Sequence, residues 1–438
     1  MGVAYVSSDP GVPVFGRKGS SVHVQAVLRE LVRAGAEVHV VTTRPGDDTP
    51  ADLADVVVHE VPVASTASTA EREVALRDAD ARVFGILAGI AAGDDDRGLD
   101  LVYERYSLWG TAATGWARDA AVPSVLEVNA PLVAEQRTHR ELVDEAAAER
   151  CVRAAVGAAT AVVAVSGPVA AWVADRAGEH PEKVHVLANG VDTGRIVPAV
   201  DRCGGGRDLS NSSRGRVHGR QGALHLGRDT SARRVRQDTT AFTVLFVGTL
   251  KPWHGLDVLV DAFVGVSARV PDARLLLVGD GPERETVLAR AEALGVGDAV
   301  EHAGAVPPSE VPALLHRADV AVAPYPALDD FYFSPLKVYE YLAAGLPVVA
   351  SAVGELPDAL EHGRAGVLVP PGDAAALADV LVALAHDDDR RAALGERARE
   401  VAVGRHDWSV VVRRALGFAG VALPDISPAL ADGGGRRG

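Results

Sequence analysis

The sequence predicts two doubly wound α/β domains in tandem, each built on a parallel sheet. Short strands rich in Val and Leu alternate with helical segments along most of the chain, and the series starts again after residue 240. Strands of this composition are typical of parallel sheets covered by helices on both faces. A length of 438 residues also exceeds what one ordinary hydrophobic core accommodates, which favours at least two domains.

The first half opens with a strand, a glycine-rich loop, an amphipathic helix and a second strand. These segments read VAYVSS, DPGVPVFGRKGSS, VHVQAVLRELVRAG and EVHVVTT, and the later strands read DLVYERY, PSVLEVN, AVVAVS and VHVLANG. Ligands of open α/β sheets bind beyond the carboxyl ends of the strands. The loops that follow these strands are therefore where we expect a site.

The second half repeats this organisation from residue 242. Its strands read FTVLFVG, RLLLVGDG, AVEHAG and VAVAPY, and the helical segments between them read LDVLVDAFVGVSARV, PERETVLARAEALG and EVPALLHRA. The helix-like segment after VAVAPY stops at Gly345, and a short β-branched strand follows Pro347.

Residues 199–240 have a different composition, rich in Gly, Ser and Arg and almost without apolar periodicity. Such a segment cannot bury enough apolar surface to fold, so we expect a flexible linker. The alternative is a basic patch that binds anionic lipid. The tail, residues 421–438, is predicted to be disordered for the same compositional reason.

Composition excludes several classes of protein. A net charge of −15 argues against general affinity for nucleic acid. Two cysteines, Cys151 and Cys203, are too few for a disulfide framework or a cysteine zinc site, and they suit a reducing cytosol. The first residues lack the features of a signal peptide, and apolar runs are too short for a membrane span. We expect a cytoplasmic protein; peripheral contact with the inner face of the membrane and the oligomeric state stay open.

The segment DDFYFSPLKVYEYLAAGLPVVAS, residues 329–351, carries the strongest local signal for a site. Ser334 is a good N-cap and Pro335 fits the first helical position. Lys337 brings a cation to a helix N-terminus, which the helix dipole opposes unless an anion lies between them. Glu340 can pair with Lys337 or bind hydroxyl groups. The alternative is an ordinary capped helix with a surface Lys–Glu pair.

Ten motifs occur in order along both halves of the chain: PVFGRKGSSVHVQAVLREL, YERYSLWG, EVNAPL, VVAVS, VLANGVD, FVGTLKPWHGLDVLVDAF, LLLVGDGPERE, VEHAGAV, FYFSPLKVYEYLAAGLPVVAS and GVLVPPGD. In their order and spacing they resemble the retaining, nucleotide-sugar-dependent glycosyltransferases of family 4, which have the GT-B fold. Only the linker and the tail fall outside this resemblance.

The resemblance implies two Rossmann-like domains that face each other across a cleft. Residues 1–198 would form the acceptor-side domain and residues 241–405 the nucleotide-sugar domain, with the linker 199–240 between them. Residues 406–420 would form a helix that crosses back to the first domain, ahead of the tail at 421–438.

On the donor side, the resemblance assigns Glu340 to the ribose hydroxyls. The backbone of Ser334, Pro335, Leu336 and Lys337 would cradle the distal phosphate. Many family members carry a first glutamate where this chain has Tyr332, so Asp329 or Asp330 is a candidate to replace it. Val306, in VEHAGAV, would also contact the donor.

The turn GTLKPWHG departs from the usual family pattern, in which an arginine and a lysine contact the diphosphate. Those positions are Thr249 and His254 in this chain. Lys251 is the one fixed cation of the turn, and we assign it to the phosphates together with Lys337. His254 either hydrogen-bonds a phosphate while neutral or carries a charge if the site raises its pKa.

In the first half, Gly16 and Gly19 permit a ligand to approach the backbone closely. By resemblance, their loop lies over the donor phosphates and the acceptor. His23 is a further candidate on the acceptor side, with helix packing as its alternative role. Tyr103 and Arg105 end one strand on the same side, and Arg105 is equally suited to a structural salt bridge. Glu127 and Asn129 end another strand, where family members commonly place a catalytic or acceptor-contacting residue.

The resemblance implies a retaining hexosyltransferase that moves a sugar from a UDP- or GDP-sugar to a hydroxyl acceptor such as a glycan, a lipid or a small metabolite. The residues expected to carry catalysis are Glu340, Lys251, Lys337, Asn129 and Glu127. Helix and lysine charges would stabilise the leaving diphosphate, so neither metal nor other cofactor is expected. The alternatives are a nucleotide-sugar 2-epimerase of the same fold and a non-catalytic nucleotide-sugar-binding protein.

Overall fold

The computed structural model describes residues 1–93, 98–199, 241–327, 331–332 and 334–423. Nearly all of the predicted linker, from residue 200 to residue 240, lies outside these ranges. The same holds for Asp329, Asp330 and residues 424–438 of the predicted tail.

The first half of the chain forms a seven-stranded parallel sheet. The strand order is β3-β2-β1-β4-β5-β6-β7. The strands are β1 (Gly2–Ser7), β2 (Glu37–Thr42), β3 (Val57–Glu60), β4 (Leu101–Arg105), β5 (Ser124–Val128), β6 (Ala161–Ala164) and β7 (Val184–Val186).

The second half forms a six-stranded parallel sheet, in the order β10-β9-β8-β11-β12-β13. Its strands are β8 (Thr243–Val247), β9 (Arg274–Val278), β10 (Val300–Gly304), β11 (Val320–Ala323), β12 (Val348–Ser351) and β13 (Val367–Val369). The prediction of two doubly wound parallel sheets is therefore confirmed.

Helices connect the strands and cover both sheets. In the first half they are α1 (Gly19–Arg33), α2 (Thr69–Ala91), α3 (Ala112–Asp119), α4 (Leu132–His139), α5 (Glu145–Ala158) and α6 (Gly167–Ala174). The second half contributes α7 (Leu256–Ser267), α8 (Arg284–Ala293), α9 (Val311–Leu315), α10 (Leu336–Ala343), α11 (Leu356–Ala359), α12 (Ala374–Ala385), α13 (Asp388–Val401) and α14 (Trp408–Phe418). A π-helical turn, Ala402–His406, joins α13 to α14.

The strand order places a crevice in each sheet. All residues of β1 and β5 are buried, because helices cover both faces of these strands. In the first half, β2 and β3 are added on one side of β1, and β4 and the later strands lie on its other side. In the second half, β9 and β10 lie on one side of β8, and β11 and the later strands lie on the other. The switch points are therefore between β1 and β4 and between β8 and β11. Loops diverge at such a switch point, which leaves room for a ligand at the carboxyl ends of the strands.

Helix α14 packs against the first sheet although it follows the second one in sequence. Trp408, Val412 and Leu416 belong to the same buried cluster as Tyr5 of β1. Trp408 also contacts the ring of His23 edge to face, with 4.7 Å between the ring centroids. In the described ranges, no helix has both the length and the apolar character that crossing a membrane requires.

Candidate active site

A cavity of about 1250 Å³ lies where the loops of the two halves meet. The first half contributes residues that follow β1 and β4, together with parts of α2, α4 and α6. The second half contributes Trp253, Phe331, Tyr332 and Gly354. The cavity thus opens at the carboxyl ends of strands from both sheets, as expected for an open α/β fold.

The opening of α10 lies at this junction, but the helix begins one residue later than predicted. Pro335 occupies the N-cap and no side chain caps the helix, so the assignment of Ser334 as N-cap is wrong. The Ser334 hydroxyl instead accepts a hydrogen bond from the backbone N–H of Asn189, at 3.3 Å. A contact between the two halves therefore competes with the local cap.

The backbone at this helix start offers fewer free N–H groups than the sequence suggested. The N–H of Leu336 donates to the Ser334 carbonyl at 2.9 Å, and that of Val338 donates to the Pro335 carbonyl at 2.8 Å. Pro335 has no N–H to offer. Any anion held here must therefore depend strongly on the Lys337 side chain.

The amine of Lys337 is completely enclosed and has no hydrogen-bond partner within the described residues. It lies 4.2 Å from the centroid of the Phe246 ring and 5.3 Å from that of Tyr325. Burial lowers the pKa of the amine to about 7, and the Glu340 carboxylate partly opposes this shift. The aromatic faces attract the cation, but they do not replace a hydrogen-bond acceptor.

A glycine turn after β8 makes room for this amine. Gly248 has a φ of +146°, and a Cβ added there would lie 3.0 Å from the Lys337 Nζ. A Cβ at Gly279 would lie 2.0 Å from the Gly248 carbonyl oxygen, so the turn is also packed tightly from the neighbouring loop. The Lys337 amine therefore lies directly against backbone that only glycine permits.

His254 is held inside the same turn as a neutral imidazole. Its Nδ1 donates to the Thr249 carbonyl at 2.6 Å, because a carbonyl oxygen can only accept. Burial lowers the pKa of His254 to about 4, and the charges of Lys337 and Lys251 act in the same direction. The alternative of a charged His254 is therefore not supported, and its Nε2 is left as an acceptor.

Lys251, Thr249 and Val306 lie nearer the surface. The Lys251 amine lies 5.4 Å from the ring centroid of Trp253, a side chain that is 40% exposed. Thr249 is exposed, and Val306 is partly buried against the core beneath β11 and α10. Lys251 is thus the more accessible of the two lysines assigned to the phosphates.

Glu340 lies one turn after Lys337 on α10. Burial raises the pKa of its carboxyl group to about 6, while Arg195 and Lys337 oppose the shift. Arg195, which belongs to the first half of the chain, was not among the predicted site residues. Its pattern in the sequence, a lone arginine after ANGVDTG, carries no signal for such a role.

On the opposite side, Glu127 is the centre of a buried network. Tyr103 donates to its Oε2 at 2.5 Å, Arg105 donates to its Oε1 at 3.3 Å, and Asn129 donates to the same oxygen. The Nε2 of His23 lies 2.8 Å from Oε1, at an angle that does not make a hydrogen bond. Burial alone would raise the pKa of Glu127, but His23, Arg105 and Tyr103 together lower it to about 2.

Five of the residues predicted on this side of the site carry polar side chains, and the structure brings all of them together. They are His23, Tyr103, Arg105, Glu127 and Asn129. The side chain of Glu127 is only 4% exposed, which leaves its carboxylate little contact with a ligand. Arg105 and Asn129 are less buried and extend the network towards the surface. Both structural alternatives, helix packing for His23 and a salt bridge for Arg105, describe contacts that the structure contains.

The two loop glycines have different surroundings. A Cβ at Gly16 would lie 2.7 Å from the Ser21 Oγ, and its carbonyl accepts a hydrogen bond from Gln25. The small size of Gly16 therefore serves packing within the loop. Gly19 faces the other half, since a Cβ there would lie 4.0 Å from a methyl group of Leu336 at the start of α10.

Tyr332, which stands where many family members have a glutamate, links the two halves. Its hydroxyl donates to Glu135 Oε1 of α4 at 2.5 Å, and its carbonyl accepts from the Ser166 hydroxyl at 2.8 Å. No pattern in the sequence indicates that Glu135 places a carboxylate next to this position. Asp329 and Asp330, the predicted replacements, lie outside the described residues.

Two family models match the chain in succession. Residues 17–195 match Glycosyltransferase Family 4, and residues 227–401 match Glycosyl transferases group 1. The two matched ranges together span most of both α/β halves.

Individual relatives agree with these matches. A D-inositol 3-phosphate glycosyltransferase of Corynebacterium aurimucosum is 29% identical over 392 residues, which cover 87% of this chain and 86% of that protein. A phosphatidyl-myo-inositol mannosyltransferase of Mycobacterium leprae is 39% identical over 178 residues, which cover 40% of this chain but only 45% of that protein.

Solved structures share the fold at low sequence identity. Anabaena Alr3699/HepE in complex with UDP superimposes with a TM-score of 0.65 at 19% identity, covering 96% of this chain and all (100%) of that one. WaaG, a glycosyltransferase involved in lipopolysaccharide biosynthesis, gives a TM-score of 0.60 at 17% identity, with coverages of 96% and 100%. The matched motifs, the paired parallel sheets and these similarities together show that the chain belongs to glycosyltransferase family 4, with the GT-B fold.

Proposed function

We propose that this protein transfers a hexose from a nucleoside diphosphate sugar to a hydroxyl acceptor, with retention of the anomeric configuration. The observation that carries the proposal is the enclosed Lys337 amine, which has no hydrogen-bond acceptor among the described residues. A buried cation without an acceptor is costly unless a ligand supplies one. A diphosphate at the start of α10 would supply oxygen acceptors and would also interact favourably with the helix dipole.

The other donor-side residues fit this arrangement. Lys251 lies in the same turn as His254 and brings a second, more accessible cation to the phosphates. His254 is neutral, and its remaining nitrogen can accept a hydrogen bond but cannot donate one to a phosphate oxygen. We therefore assign His254 to a hydroxyl group of the donor, and Glu340 to the ribose hydroxyls.

Transfer requires stabilisation of the negative charge that develops on the leaving diphosphate. Lys337, Lys251 and the start of α10 would provide it, so we propose that no metal ion is needed. The leaving phosphate oxygen would take the proton of the acceptor hydroxyl on the same face of the sugar. This proton transfer, which the family resemblance implies, gives retention without a protein base.

We assign Glu127 to positioning. Its carboxylate is buried and shared among Tyr103, Arg105 and Asn129, so it orients the acceptor-side residues without contacting the reacting atoms. Asn129 and Arg105 are then the members of this network that can reach an acceptor.

Incubation with a panel of UDP- and GDP-sugars and with extracted acceptors tests the proposal. The expected result is acceptor-dependent release of nucleoside diphosphate, with a product whose anomeric proton coupling matches that of the donor. A free epimer released without acceptor would support a 2-epimerase, and binding without turnover would support a non-catalytic protein. Inverted product would contradict retention, and complete loss of turnover with EDTA, restored by Mn²⁺, would contradict metal independence.

A further inference from the structure

We infer that the acceptor is an anionic amphiphile, with its anionic group at Arg72 and Arg140 and its apolar part along the walls of the large cavity. This inference rests on the proposed transfer to a hydroxyl group and names the class of molecule that carries it. Three separate observations support it: the apolar cavity wall, the two lining arginines without partners among the described residues, and the continuity of the cavity with the donor side.

The cavity wall is strongly apolar for a sugar-binding enzyme. Its large apolar side chains are Leu76, Leu108, Trp109, Leu132 and Trp172 from the first half, with Trp253 and Phe331 from the second. Guanidinium groups lie over two of the rings, with the Arg77 Cζ 5.2 Å from the ring centroid of Trp109 and the Arg176 Cζ 4.1 Å from that of Trp172. A preformed wall of leucines and aromatic rings favours a ligand with an apolar portion.

The carboxylates that line the cavity are already engaged. Glu73 accepts hydrogen bonds from the backbone of Val143 at 2.8 Å and of Asp144 at 3.0 Å. Glu135 accepts from Tyr332 at 2.5 Å, and Asp9 accepts from the backbone of Gly11 at 2.7 Å. These hydrogen bonds occupy acceptor oxygens of all three groups but leave their negative charges in place.

The arginines that line the cavity have no such partners. Within the described residues, the side chains of Arg72 and Arg140 make neither an ion pair nor a hydrogen bond. Each guanidinium group offers a fork of N–H donors that suits phosphate or carboxylate oxygens. Both arginines are exposed, so water hydrates them in the free protein, and an anion would replace that water with charge-assisted contacts.

Both arginines line the cavity where α2 meets the segment between α4 and α5. Arg72 stands between Thr69, whose hydroxyl donates to Glu141 at 2.7 Å, and Glu73, which binds the backbone at 143 and 144. Arg140 immediately precedes Glu141 in the chain. These contacts place the two arginines on neighbouring elements of the same junction.

The same cavity reaches the donor side. Trp253, which belongs to the turn with Lys251 and His254, lines it together with Tyr332 and Gly354. An acceptor anchored at the arginine end can thus extend its hydroxyl group towards the donor.

Calorimetric titration of the full chain tests this inference without any donor. The probes are butyl, hexyl and octyl phosphate below their micelle concentrations, with inorganic phosphate, octyl glucoside and methyl glucoside for comparison. We expect affinity to rise with chain length, by up to about fourfold for each buried methylene. Octyl phosphate should bind more tightly than octyl glucoside, and inorganic phosphate and methyl glucoside should bind weakly.

Matched variants locate the binding. Arg72→Gln and Arg140→Gln should each lower the affinity for octyl phosphate about tenfold and leave the affinity for octyl glucoside unchanged. Leu132→Asn should lower the affinity for both ligands. The control substitutions Arg150→Gln and Leu294→Asn, at exposed residues outside the cavity, should change neither.

Flat affinity along the alkyl series, or a series that none of the cavity variants affects, would overturn the inference. Titration of UDP and GDP on the same preparation separates this result from a failure of the proposed function. If a nucleoside diphosphate binds and the alkyl series is flat, the enzyme assignment stands and the acceptor class is wrong. If the alkyl phosphates bind as expected and neither nucleotide does, the proposed donor is wrong.

Discussion

At the scale of single residues, Lys337 combines two properties that normally exclude each other, a cationic group and complete enclosure. The aromatic faces of Phe246 and Tyr325 lie 4.2 Å and 5.3 Å from its amine, and burial lowers its pKa to about 7. A bound diphosphate would favour the charged form and raise that pKa again. Binding of the diphosphate and protonation of Lys337 should therefore be linked.

This linkage has a defined sign and pH range. Since the pKa of Lys337 is about 7 before binding and higher afterwards, diphosphate affinity should be full below about pH 7 and should fall above it. The fall should approach about tenfold per pH unit until the higher pKa of the bound state is passed. His254, with a pKa of about 4, stays neutral across this range.

Calorimetry in two buffers of different ionisation enthalpy measures this effect directly. At about pH 8 we expect proton uptake on binding of UDP or GDP, since the free amine is then mostly neutral. Lys337→Met should abolish the uptake, whereas Lys183→Met, a substitution outside the site, should preserve it. Binding without proton uptake in the unmodified protein would contradict the linkage.

Glu127 permits a second test at the same scale. Because its folded-state pKa lies below the usual value, it stabilises the fold fully above about pH 4.5, and this contribution is lost as the pH falls towards about 2. Glu127→Gln leaves Arg105 without its buried anion, so the free energy of unfolding should drop by about 3 kcal/mol at neutral pH. Urea denaturation measures this change.

The control for Glu127 is the exposed Glu179, whose change to Gln should alter the stability by less than about 0.5 kcal/mol. The difference in the free energy of unfolding between the unmodified protein and Glu127→Gln should shrink as the pH is lowered from about 4.5. A difference that stays constant with pH would show that the carboxylate charge does not stabilise the network.

The sequence predicted part of this residue-level picture. The sequence predicted which residues approach each other within one short segment. These are Lys337 with Glu340, and Lys251 with His254 in the turn after β8. The aromatic enclosure of Lys337 was not predicted, because Phe246 and Tyr325 reach it only through the pairing of β8 with β11. Whether the predicted residues act in catalysis stays a prediction.

At the scale of elements, the attachment of α14 to the first sheet depends on a glycine. A Cβ at Gly190 would lie 2.5 Å from the Trp408 ring, which is 7% exposed and anchors the helix. Gly190→Ala should therefore displace the ring and lower the free energy of unfolding by about 1–3 kcal/mol. Thermal or urea unfolding provides the measurement.

Gly417→Ala is the matched control within α14 itself. A Cβ there meets nothing within 4 Å, so the substitution should be neutral or stabilise by up to about 1 kcal/mol. Equal effects of the two substitutions would contradict the account of how α14 is anchored.

Strands with buried faces were the elements that the sequence predicted well. Apart from Arg105, every residue of β1, β4 and β5 is buried, because helices cover both faces of these strands, and each strand carries a core of Val, Leu, Ala or Tyr that marks it in the sequence. The edge strand β3 was missed, since it is four residues long and both Val57 and Val58 are exposed. The start of α10 was placed one residue early, because the contact of Ser334 with Asn189 in the other half competes with capping.

At the scale of the whole molecule, the two halves meet through residues that border the site. The Glu355 carboxylate accepts a hydrogen bond from the backbone of Gly167 at the start of α6, at 2.8 Å. Tyr332 binds Glu135 and Ser166, and Ser334 binds Asn189. The segment that leads into α10 is therefore held by the first half as well as by its own sheet.

The central claim is that this junction holds the diphosphate of a nucleotide-sugar through Lys337. Calorimetric affinities of UDP or GDP, the matching monophosphate and the nucleoside, for the unmodified protein and Lys337→Met below about pH 7, test it most directly. We expect the diphosphate to lose about ten- to a hundredfold in affinity while the nucleoside changes little, because a charge-assisted contact contributes about 1.5–3 kcal/mol. Glu340→Gln should weaken all three ligands alike, since it contacts the ribose in this account. Small and equal losses for every ligand with Lys337→Met would contradict the claim and would leave Lys337 a structural residue of α10.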